Sequence, residues 1–342
     1  GSGATRVNKD GLIELITDTN TPRLDYTDGG CPSLLLEPQS TNLVPYSEDF
    51  SQYSIGSSPI VSGGFLAPDG TNNAYKITDS GSSTVYRGGL SVSSTATRSI
   101  YARSVSGTGT ATLMSYFGNT NNLFTLTEDW QRFEVNGTDA VAGEDNFYAA
   151  DFRGGGTLTE YIVYGAQVEA LSYATSYIPT TGVIATRLAD SVTGAGDATT
   201  FNSTEGVLYA EMAALSDDGT SRRISLFQDL NNKVSLVLSP TSNSIQGLVV
   251  SGGSVQFNQT FSISNTLDFN KIAFKYKTND FAIWVNGVEV ATDTSGNTPT
   301  GLSELSFADG DNTSNVFTGK VKDVRTYNTA LTDAELLTLT TI

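Results

Sequence analysis

The sequence contains no histidine and only one cysteine among its 342 residues. Without histidine, the chain cannot form a Ser-His-Asp or Cys-His nucleophile system, a histidine-ligated zinc site or an imidazole acid/base pair. Cys31 has no second cysteine with which to close an intrachain disulfide. The fold must therefore rely on its apolar core and on hydrogen bonds between strands, and much enzyme chemistry is excluded.

Basic charge and long apolar runs are also scarce. The 19 Lys and Arg residues stand against 36 Asp and Glu, and the resulting net charge of −17 disfavours phosphate backbones and anionic lipid surfaces. The longest apolar runs, such as "SLLLEP" and "QGLVVSG", are far shorter than the ~20 residues that span a bilayer. We therefore expect no nucleic-acid partner and no membrane insertion.

Glycine is abundant, with 34 residues, and short runs of alternating apolar and polar residues fill the chain. Runs such as "NAYKIT", "TRSIYARS" and "KVSLVLS" have the two-residue period of strands that are buried on one face. The sequence predicts an all-β protein with two antiparallel β-sandwich (jelly-roll) domains in tandem and a short C-terminal helix. The expected boundaries are an N-terminal β strap at 4–41, a first sandwich at 42–181, a linker at 182–199 and a second sandwich at 200–342.

Two local signals in the second half are specific. Asn286-Gly287 lies between two alternating arms in "WVNGVEV", and this dipeptide favours a two-residue hairpin turn. Thr332, followed three residues later by Glu335, has the spacing of a capping box before "LLTL". They predict a β-hairpin and the helix that closes the second domain.

Two stretches that together cover nearly the whole chain resemble known modules. The first includes "RLDYTDGGCPSLLLEPQSTNLVPYSEDFSQY", "LTEDWQRFEV" and "YGAQVEALSYATSYIPTTGVIATRLAD", and it resembles a carbohydrate-binding jelly-roll module of bacteriophage tail and tail-fibre proteins. The second, from "AIWVNGVEVA" to "FTGKVKDVRTYNTALTDAELLTL", resembles the laminin-G-like, concanavalin-like jelly rolls. The resemblance implies a virion or extracellular protein that adheres to bacterial surface polysaccharide, contacts other virion subunits and forms a homo-oligomer.

Catalytic relatives of such jelly rolls carry motifs that can be sought directly. An E-x-D-x-x-E strand, as in the glycoside hydrolases of this fold, does not occur in the sequence, and the Gln-x-His strand of alginate lyases needs a histidine. We therefore expect a non-catalytic glycan-binding adhesin. The alternatives are a structural decoration or spacer protein of a virion, and a polysaccharide-degrading enzyme that uses carboxylates alone.

A sugar site needs an exposed aromatic ring with polar or charged side chains at its edge. In "TRSIYARS", the strand period places Tyr101 and Arg103 on the face opposite the core, and neighbouring strands could add further side chains. The candidate ligand-binding residues of the first domain are Arg87, Tyr101, Arg103, Tyr116 and Arg153. Converging arginines would suit an anionic glycan. Alternatively, these arginines pair with nearby acids such as Asp151, and the tyrosines only pack across strands.

Trp284 is the candidate aromatic platform of the second domain. In "FAIWVNG", Phe281, Ile283 and Val285 share one face of the predicted strand, and Trp284 lies on the other. If the Phe/Ile/Val face is directed inward, Trp284 is an exposed ring beside the hairpin tip. The alternative is that Trp284 belongs to the core.

Oxygen-rich segments suggest a structural calcium ion, which takes six to eight oxygen ligands. In "FADGDNTSN" the candidate ligands are Asp309, Asp311, Asn312 and Asn315, although a plain polar turn has the same composition. For the first domain, the resemblance implies calcium bound by Glu48 and Asp49 with Gln167 or Glu169, but "GAQVE" replaces the usual terminal-strand Asp.

Overall fold

Short strands make up almost all of the regular structure, as the alternating runs predict. The computed structural model describes residues 3–18, 20–79, 81–92, 95–115, 122–135 and 146–342. In chain order the strands are β1 (Ala4–Val7), β2 (Ile13–Ile16), β3 (Leu24–Asp25), β4 (Ser33–Leu36), β5 (Ser40–Asn42), β6 (Ser54–Gly56), β7 (Ile60–Phe65), β8 (Ala74–Thr78), β9 (Thr84–Arg87), β10 (Thr97–Ser104), β11 (Gly109–Thr112), β12 (Leu123–Leu126), β13 (Gln131–Val135), β14 (Phe147–Asp151), β15 (Glu160–Glu169), β16 (Ala185–Arg187), β17 (Glu205–Ala214), β18 (Arg222–Asp229), β19 (Asn232–Leu238), β20 (Ser244–Ser251), β21 (Ser254–Ser262), β22 (Asn270–Lys277), β23 (Phe281–Val285), β24 (Val288–Asp293), β25 (Glu304–Ser306) and β26 (Gly319–Tyr327). The helix α1 (Asp333–Thr340) and 3-10 turns at Phe50–Gln52 and Phe152–Gly154 complete the described elements. The predicted all-β class with a short C-terminal helix is confirmed.

The chain divides into two units, each with its own core. The first unit is Gly1–Gly29 with Pro38–Ala189, and the second is Gly30–Glu37 with Asp190–Ile342. The segment predicted as a separate strap is thus shared between the units, because β4 pairs with β26 of the second unit. The predicted linker is also divided, because β16 pairs with β5 of the first unit. Strand pairing sets these boundaries, and local composition does not reveal it.

In the first unit, two antiparallel sheets form the sandwich. One has the strand order β13-β10-β15-β8-β7 and the other β14-β9-β6. The core between them includes Ile100, Ala102 and Val163, all fully buried. On its outer face, the five-stranded sheet carries a second cluster with Tyr164 and Tyr177. This tyrosine-rich face supports the site described below.

The second unit is also a sandwich of antiparallel sheets. Its strands run in the orders β24-β23-β22-β17-β26-β4 and β21-β20-β19-β18-β25. The Asn286-Gly287 turn joins β23 to β24 with Val285 opposite Val288, and φ is 51° at Asn286 and 80° at Gly287. Both values lie in the left-handed region that this dipeptide tolerates. The predicted hairpin is confirmed.

The helix α1 packs on the outer face of the sheet that contains β17, β22 and β23. Thr332 and Glu335 form the predicted capping box, in which each side chain accepts a hydrogen bond from the other residue's backbone N–H. Leu336 is fully buried in a cluster with Val207, Tyr209 and Trp284. Among the described helices, none has the length and apolarity that a bilayer crossing requires.

Candidate functional site

A cavity of about 450 Å³ opens on the first unit, and we call it the Glu48 cavity. Three separate segments build it: the loop after β5, the β7–β8 hairpin, and the chain between β15 and β16. Its lining residues are Tyr46, Glu48, Asp49, Gly64, Asn72, Asn73, Tyr75, Thr180 and Thr181. The cavity therefore combines two aromatic rings, two carboxylates and two amides.

Reciprocal hydrogen bonds hold the loop after β5 against the chain before β16. The Ser47 backbone N–H donates to Thr180 Oγ1 at 2.9 Å, and the Thr180 backbone N–H donates to Ser47 Oγ at 2.8 Å. Thr180 Oγ1 also donates to the carbonyl of Val44 at 2.6 Å. Tyr46 forms an antiparallel bridge with Thr181. These bonds fix Tyr46 and Glu48 in position at the cavity wall.

The Glu48 carboxylate is held by two tyrosines of the cluster on the outer face of the five-stranded sheet. The hydroxyls of Tyr164 and Tyr177 lie 3.1 and 3.0 Å from Oε1, and Asn73 Nδ2 donates to Oε2 at 3.3 Å. The Tyr164 hydroxyl also lies 3.0 Å from Asp69 Oδ2. Burial and the nearby Glu48 charge raise the pKa of both tyrosines, so the phenols stay protonated as donors.

Asp49 is the second carboxylate of the cavity, and it caps the 3-10 turn at Phe50–Gln52. Its Oδ1 accepts hydrogen bonds from Ser51 Oγ, from the Ser51 backbone N–H and from the Tyr75 hydroxyl, at 2.5, 3.1 and 2.8 Å. Partial burial opposes ionisation, but these bonds outweigh it and hold the pKa of Asp49 below its usual 3.8. Asp49 is therefore a fixed negative charge at neutral pH.

Glycines of the β7–β8 hairpin keep the space around Tyr75 open. A Cβ on Gly63 would lie 3.1 Å from the Tyr75 ring, which is tighter than ordinary van der Waals contact. Gly64 has a φ of 93°, and the pairing of β7 with β8 shifts register between Ser62 and Phe65. This irregularity places the Gly64 backbone in the cavity wall.

The Tyr46 ring lies near the guanidinium group of Arg87. The guanidinium of Arg87 lies 5.2 Å from the centroid of the Tyr46 ring and donates to the carbonyl of Gln52 at 3.1 Å. This position is compatible with a cation–π contact. Arg87, a predicted ligand-binding residue, thus contacts a lining residue of the site, while the described cavity lining itself contains no basic residue.

The other candidate residues of the first unit have separate surroundings. Arg153 forms a two-pronged ion pair with the buried Asp151, with both N···O distances at 2.9 Å, which is the alternative weighed for it. Arg103 lies 5.4 Å from the Trp130 ring centroid. The predicted convergence of arginines is therefore corrected, because each has a partner near its own strand. Tyr116 lies outside the described residues.

Tyr101 is half-buried and does not line the described cavity. Its ring centroid is 6.2 Å from that of Tyr164 and 6.3 Å from that of Tyr177. The Arg132 guanidinium lies 5.3 Å from the same ring. Tyr101 is thus on the predicted face of β10, but it packs against the tyrosines that hold Glu48.

Trp284 is not an exposed platform, so this prediction is corrected. Phe281, Ile283 and Val285 do belong to the inner core, which leaves Trp284 on the outer face as the strand period predicts. That face is covered, however, and only 8% of Trp284 is exposed, because Leu336 of α1 packs into the same cluster.

The loop proposed for calcium in the second unit is held together by protein groups. Asp309 is buried and accepts from Lys233 Nζ and Arg223 Nη1, each at 2.5 Å. Asp311 accepts from the backbone N–H groups of Thr313 and Ser314. The amide of Asn312 donates to Glu304 at 2.9 Å. Two cations already neutralise Asp309, so these residues do not fit a divalent ion.

In the calcium set implied for the first unit, Gln167 and Glu169 are already engaged by protein groups. Glu169 is fully buried, and its carboxylate accepts from Ser40, Gln167 and both polar groups of Thr175. Gln167 in turn accepts from the Ile178 backbone N–H at 2.7 Å. Among the residues that the structure describes, no group of three or more Asp, Glu or Cys side chains is arranged to hold a metal.

Sequence reasoning named Glu48 and Asp49 as calcium ligands, and it did not single out the other cavity residues. Tyr46 and Tyr75 supply the aromatic rings, and Asn72 and Asn73 supply the amides. The available signals were the clustered polar and aromatic residues in "VPYSEDF" and "TNNAYK". Neither segment indicates that the other is its neighbour, because side-chain contacts such as Asn73 with Glu48 and Tyr75 with Asp49 join them in the folded chain.

Comparison with known proteins assigns the class of the second unit. Residues 197–337 match the laminin G family model described as the concanavalin A-like lectin/glucanases superfamily. This part of the chain is therefore a jelly-roll domain of that superfamily, as its sequence resemblance predicts. No curated protein is significantly similar to the chain.

Similar solved structures include three carbohydrate-related proteins. A leech intramolecular trans-sialidase is 18% identical, with 41% of this chain and 24% of that chain covered and a TM-score of 0.36. Domain 4 of an extracellular arabinanase from Geobacillus stearothermophilus, solved with arabinotriose, is 17% identical, with 49% and 80% covered and a TM-score of 0.34. A Caenorhabditis elegans galectin is 14% identical, with 40% and 89% covered and a TM-score of 0.29. The chain thus spans about a quarter of the trans-sialidase.

Proposed function

We propose that this protein binds glycans without cleaving them and that the Glu48 cavity of the first unit is the binding site. The observation that carries this proposal is the meeting of Tyr46, Tyr75, Glu48 and Asp49 in one open cavity of about 450 Å³. That size lies within the range of about 300–1,000 Å³ that is usual for small-molecule sites. The lectin/glucanase superfamily match of residues 197–337 adds support for a carbohydrate-related role.

The lining residues suit the two surfaces of a sugar. The C–H face of a pyranose packs on an aromatic ring, and the cavity offers two tyrosine rings for that contact. Sugar hydroxyls donate to carboxylates and exchange hydrogen bonds with amides, which Glu48, Asp49 and Asn72 provide. Because reciprocal hydrogen bonds between Ser47 and Thr180 hold the loop after β5, the site needs little ordering when a ligand binds.

Binding without catalysis is favoured by how the carboxylates are held. Glycoside hydrolysis needs one carboxyl as proton donor and a second facing it across the substrate. Here a single phenol, that of Tyr164, lies between Glu48 and Asp69 and within 3.1 Å of both. Asp49 is an ionised cap of a 3-10 turn, and its lowered pKa suits a hydrogen-bond acceptor better than a general acid.

The finer proposal is an adhesin of a bacteriophage tail or another virion appendage that recognises bacterial surface polysaccharide. Its support is the resemblance of the N-terminal half to phage tail modules. A single shallow cavity binds weakly, and presentation of several copies on a homo-oligomeric fibre would raise the overall affinity. The expected location is accordingly virion-associated and extracellular.

Affinity electrophoresis of the intact protein through gels containing bacterial polysaccharides tests the proposal. We expect retardation that Tyr46→Ala abolishes, because truncating a central aromatic contact commonly costs about 2 kcal/mol or more. Tyr327→Ala is the matched control, since Tyr327 lines a cavity of the second unit. Equal loss in the control, or retention of binding by Tyr46→Ala, would contradict the assignment.

An assay for new reducing ends separates binding from hydrolysis. The protein is incubated with every polysaccharide that retards it, and the expected result is no increase over a protein-free sample. An increase that Glu48→Gln or Asp49→Asn removes would overturn the non-catalytic proposal.

A further inference from the structure

The Glu48 cavity carries an unbalanced negative charge. Glu48 and Asp49 line it, and Asp69 lies one phenol away, at 3.0 Å from the Tyr164 hydroxyl. None of the described lining residues is basic. Arg87 contacts Tyr46 and the Gln52 carbonyl, so one cation stands near three carboxylates.

The other cation on the adjoining strand is already paired. Lys76 follows Tyr75 in β8, but its ammonium lies 3.1 Å from Glu160 Oε2 and 5.8 Å from the Phe65 ring centroid. Lys76 is therefore neutralised by a carboxylate of its own. The local field in the cavity favours a positively charged ligand and opposes a carboxylate- or sulfate-bearing one.

The hydrogen-bond acceptors of Asp49 and Glu48 also favour a positively charged ligand. Among the described hydrogen-bond distances of Asp49, those from Ser51 and Tyr75 all end on Oδ1, so Oδ2 is the oxygen that a ligand would reach beside the Gln52 side chain. Glu48 Oε2 receives only the long 3.3 Å bond from Asn73 among its described contacts. Carboxylate oxygens bind an ammonium more strongly than a neutral hydroxyl, and tyrosine faces attract the same cation.

We infer that the cavity selects a sugar residue with a free amino group, carried as an ammonium, over its N-acetylated, neutral and uronic-acid counterparts, a preference that rests on the glycan-binding function proposed above. The ammonium would lie between Asp49 and Glu48, with the ring of the sugar against Tyr46 or Tyr75. This preference replaces the anionic glycan expected from the sequence, because the arginines that suggested it do not line the cavity.

Isothermal titration of the intact protein with four tetrasaccharides of equal length tests the inference: glucosamine, N-acetylglucosamine, glucose and galacturonic acid oligomers. We expect the glucosamine oligomer to bind at least about tenfold more tightly than the others, as charge-assisted hydrogen bonds predict. The advantage should be present at pH 6 and lost at pH 9, since such an amine loses its proton in the range of an α-amino group, about 7.7–8.0.

Two variants separate the cavity from the general negative charge of the chain. Asp49→Asn keeps an acceptor for Ser51 and should remove most of the preference for the amino sugar. Asp293→Asn is the matched control, because Asp293 accepts the same pair of bonds from Ser295 in the second unit, each at 2.9 Å. Non-specific attraction to a chain of net charge −17 would fall equally in both variants and would contradict the inference.

The possible outcomes distinguish this inference from the function on which it rests. Tightest binding of a neutral oligomer, abolished by Tyr46→Ala and unchanged in Asp49→Asn, would overturn the amino-sugar preference and keep the glycan site. Tightest binding of the galacturonic acid oligomer would overturn the charge argument. Absence of binding by every oligomer and every tested polysaccharide would overturn both proposals.

Discussion

Glu48 and Asp49 of the first unit and Asp309 of the second unit are held in opposite ways. In the first unit, Glu48 and Asp49 are half-buried at an open cavity, and their described partners are neutral hydroxyl, amide and backbone groups. In the second unit, Asp309 is buried between the charged groups of Lys233 and Arg223. The same residue type thus provides an unneutralised surface charge in one sandwich and an internal ion pair in the other.

This difference gives the two sandwiches different chemistry at these carboxylates. A carboxylate at an open cavity whose partners are neutral donors can still pair with a charged ligand. A buried carboxylate that already pairs with two cations contributes only to the fold. The family match covers the second unit, yet the polar cavity lies in the first. Function therefore has to be assigned from the residues of each site, because the fold does not determine it.

The largest expected effect concerns the buried ion pair of the second unit. Lys233→Met leaves Asp309 with one cation and should lower the free energy of unfolding by about 3 kcal/mol, as for other broken buried pairs. Urea denaturation measures the change. Lys277→Met is the control, since Lys277 is half-exposed and its 3.2 Å pair with Glu205 should contribute under about 1 kcal/mol. Equal destabilisation by both variants would contradict the comparison.

A second prediction concerns Gly63 of β7, where an added side chain would disturb the Tyr75 ring of the Glu48 cavity. Gly63→Ala would place a methyl group 3.1 Å from the Tyr75 ring, so the ring must shift slightly and its hydrogen bond to Asp49 would be disturbed. We expect glycan affinity to fall about tenfold, equivalent to about 1.4 kcal/mol, in a titration with the polysaccharide that binds best. Gly81→Ala, at an open glycine with ordinary φ, should leave the affinity unchanged. Unaltered binding by Gly63→Ala would argue against a role for Tyr75.

A third change concerns the helix that covers Trp284. Thr332→Ala removes the capping box and should destabilise α1 by about 1 kcal/mol. Because α1 buries Trp284, partial loss of the helix should shift the tryptophan fluorescence of a Trp130→Phe background to longer wavelength. Thr338→Ala, on an exposed helix position, is the control. A fluorescence shift in the control alone would contradict the account.

The smallest expected effect is the pH dependence contributed by Asp49. Its pKa in the folded protein lies below the usual 3.8, so its ionised form stabilises the fold above that value and the contribution is lost as pH falls. The melting temperatures of wild type and Asp49→Asn should therefore differ at pH 6, and the difference should shrink as the pH falls below 3.8. A difference that grows on acidification would show the opposite linkage.

Local sequence features predicted the secondary structure well. Alternation located the strands, Asn286-Gly287 located a hairpin, and Thr332 with Glu335 located the start of α1, because each signal acts over a few residues. The strand period also separated Trp284 from the inner core. It could not show that α1 covers the outer face, since that depends on packing between distant segments.

The residues of the candidate site were harder to predict, because they too are brought together by contacts between segments that are distant in sequence. Tyr46, Asn73 and Tyr75 meet only because β7 pairs with β8 and the loop after β5 is bonded to the chain around Thr180. Asp309 looked like a calcium ligand because Lys233 and Arg223 lie far away in sequence. Contacts of this range leave no signal in a single sequence.

A crystal structure of the intact protein with its best-binding oligosaccharide tests the central claim most directly. The account predicts a sugar ring in contact with Tyr46 or Tyr75 and a polar group of the ligand hydrogen-bonded to Asp49 or Glu48. A sugar bound to the second unit, with the Glu48 cavity empty in the same crystal, would contradict it.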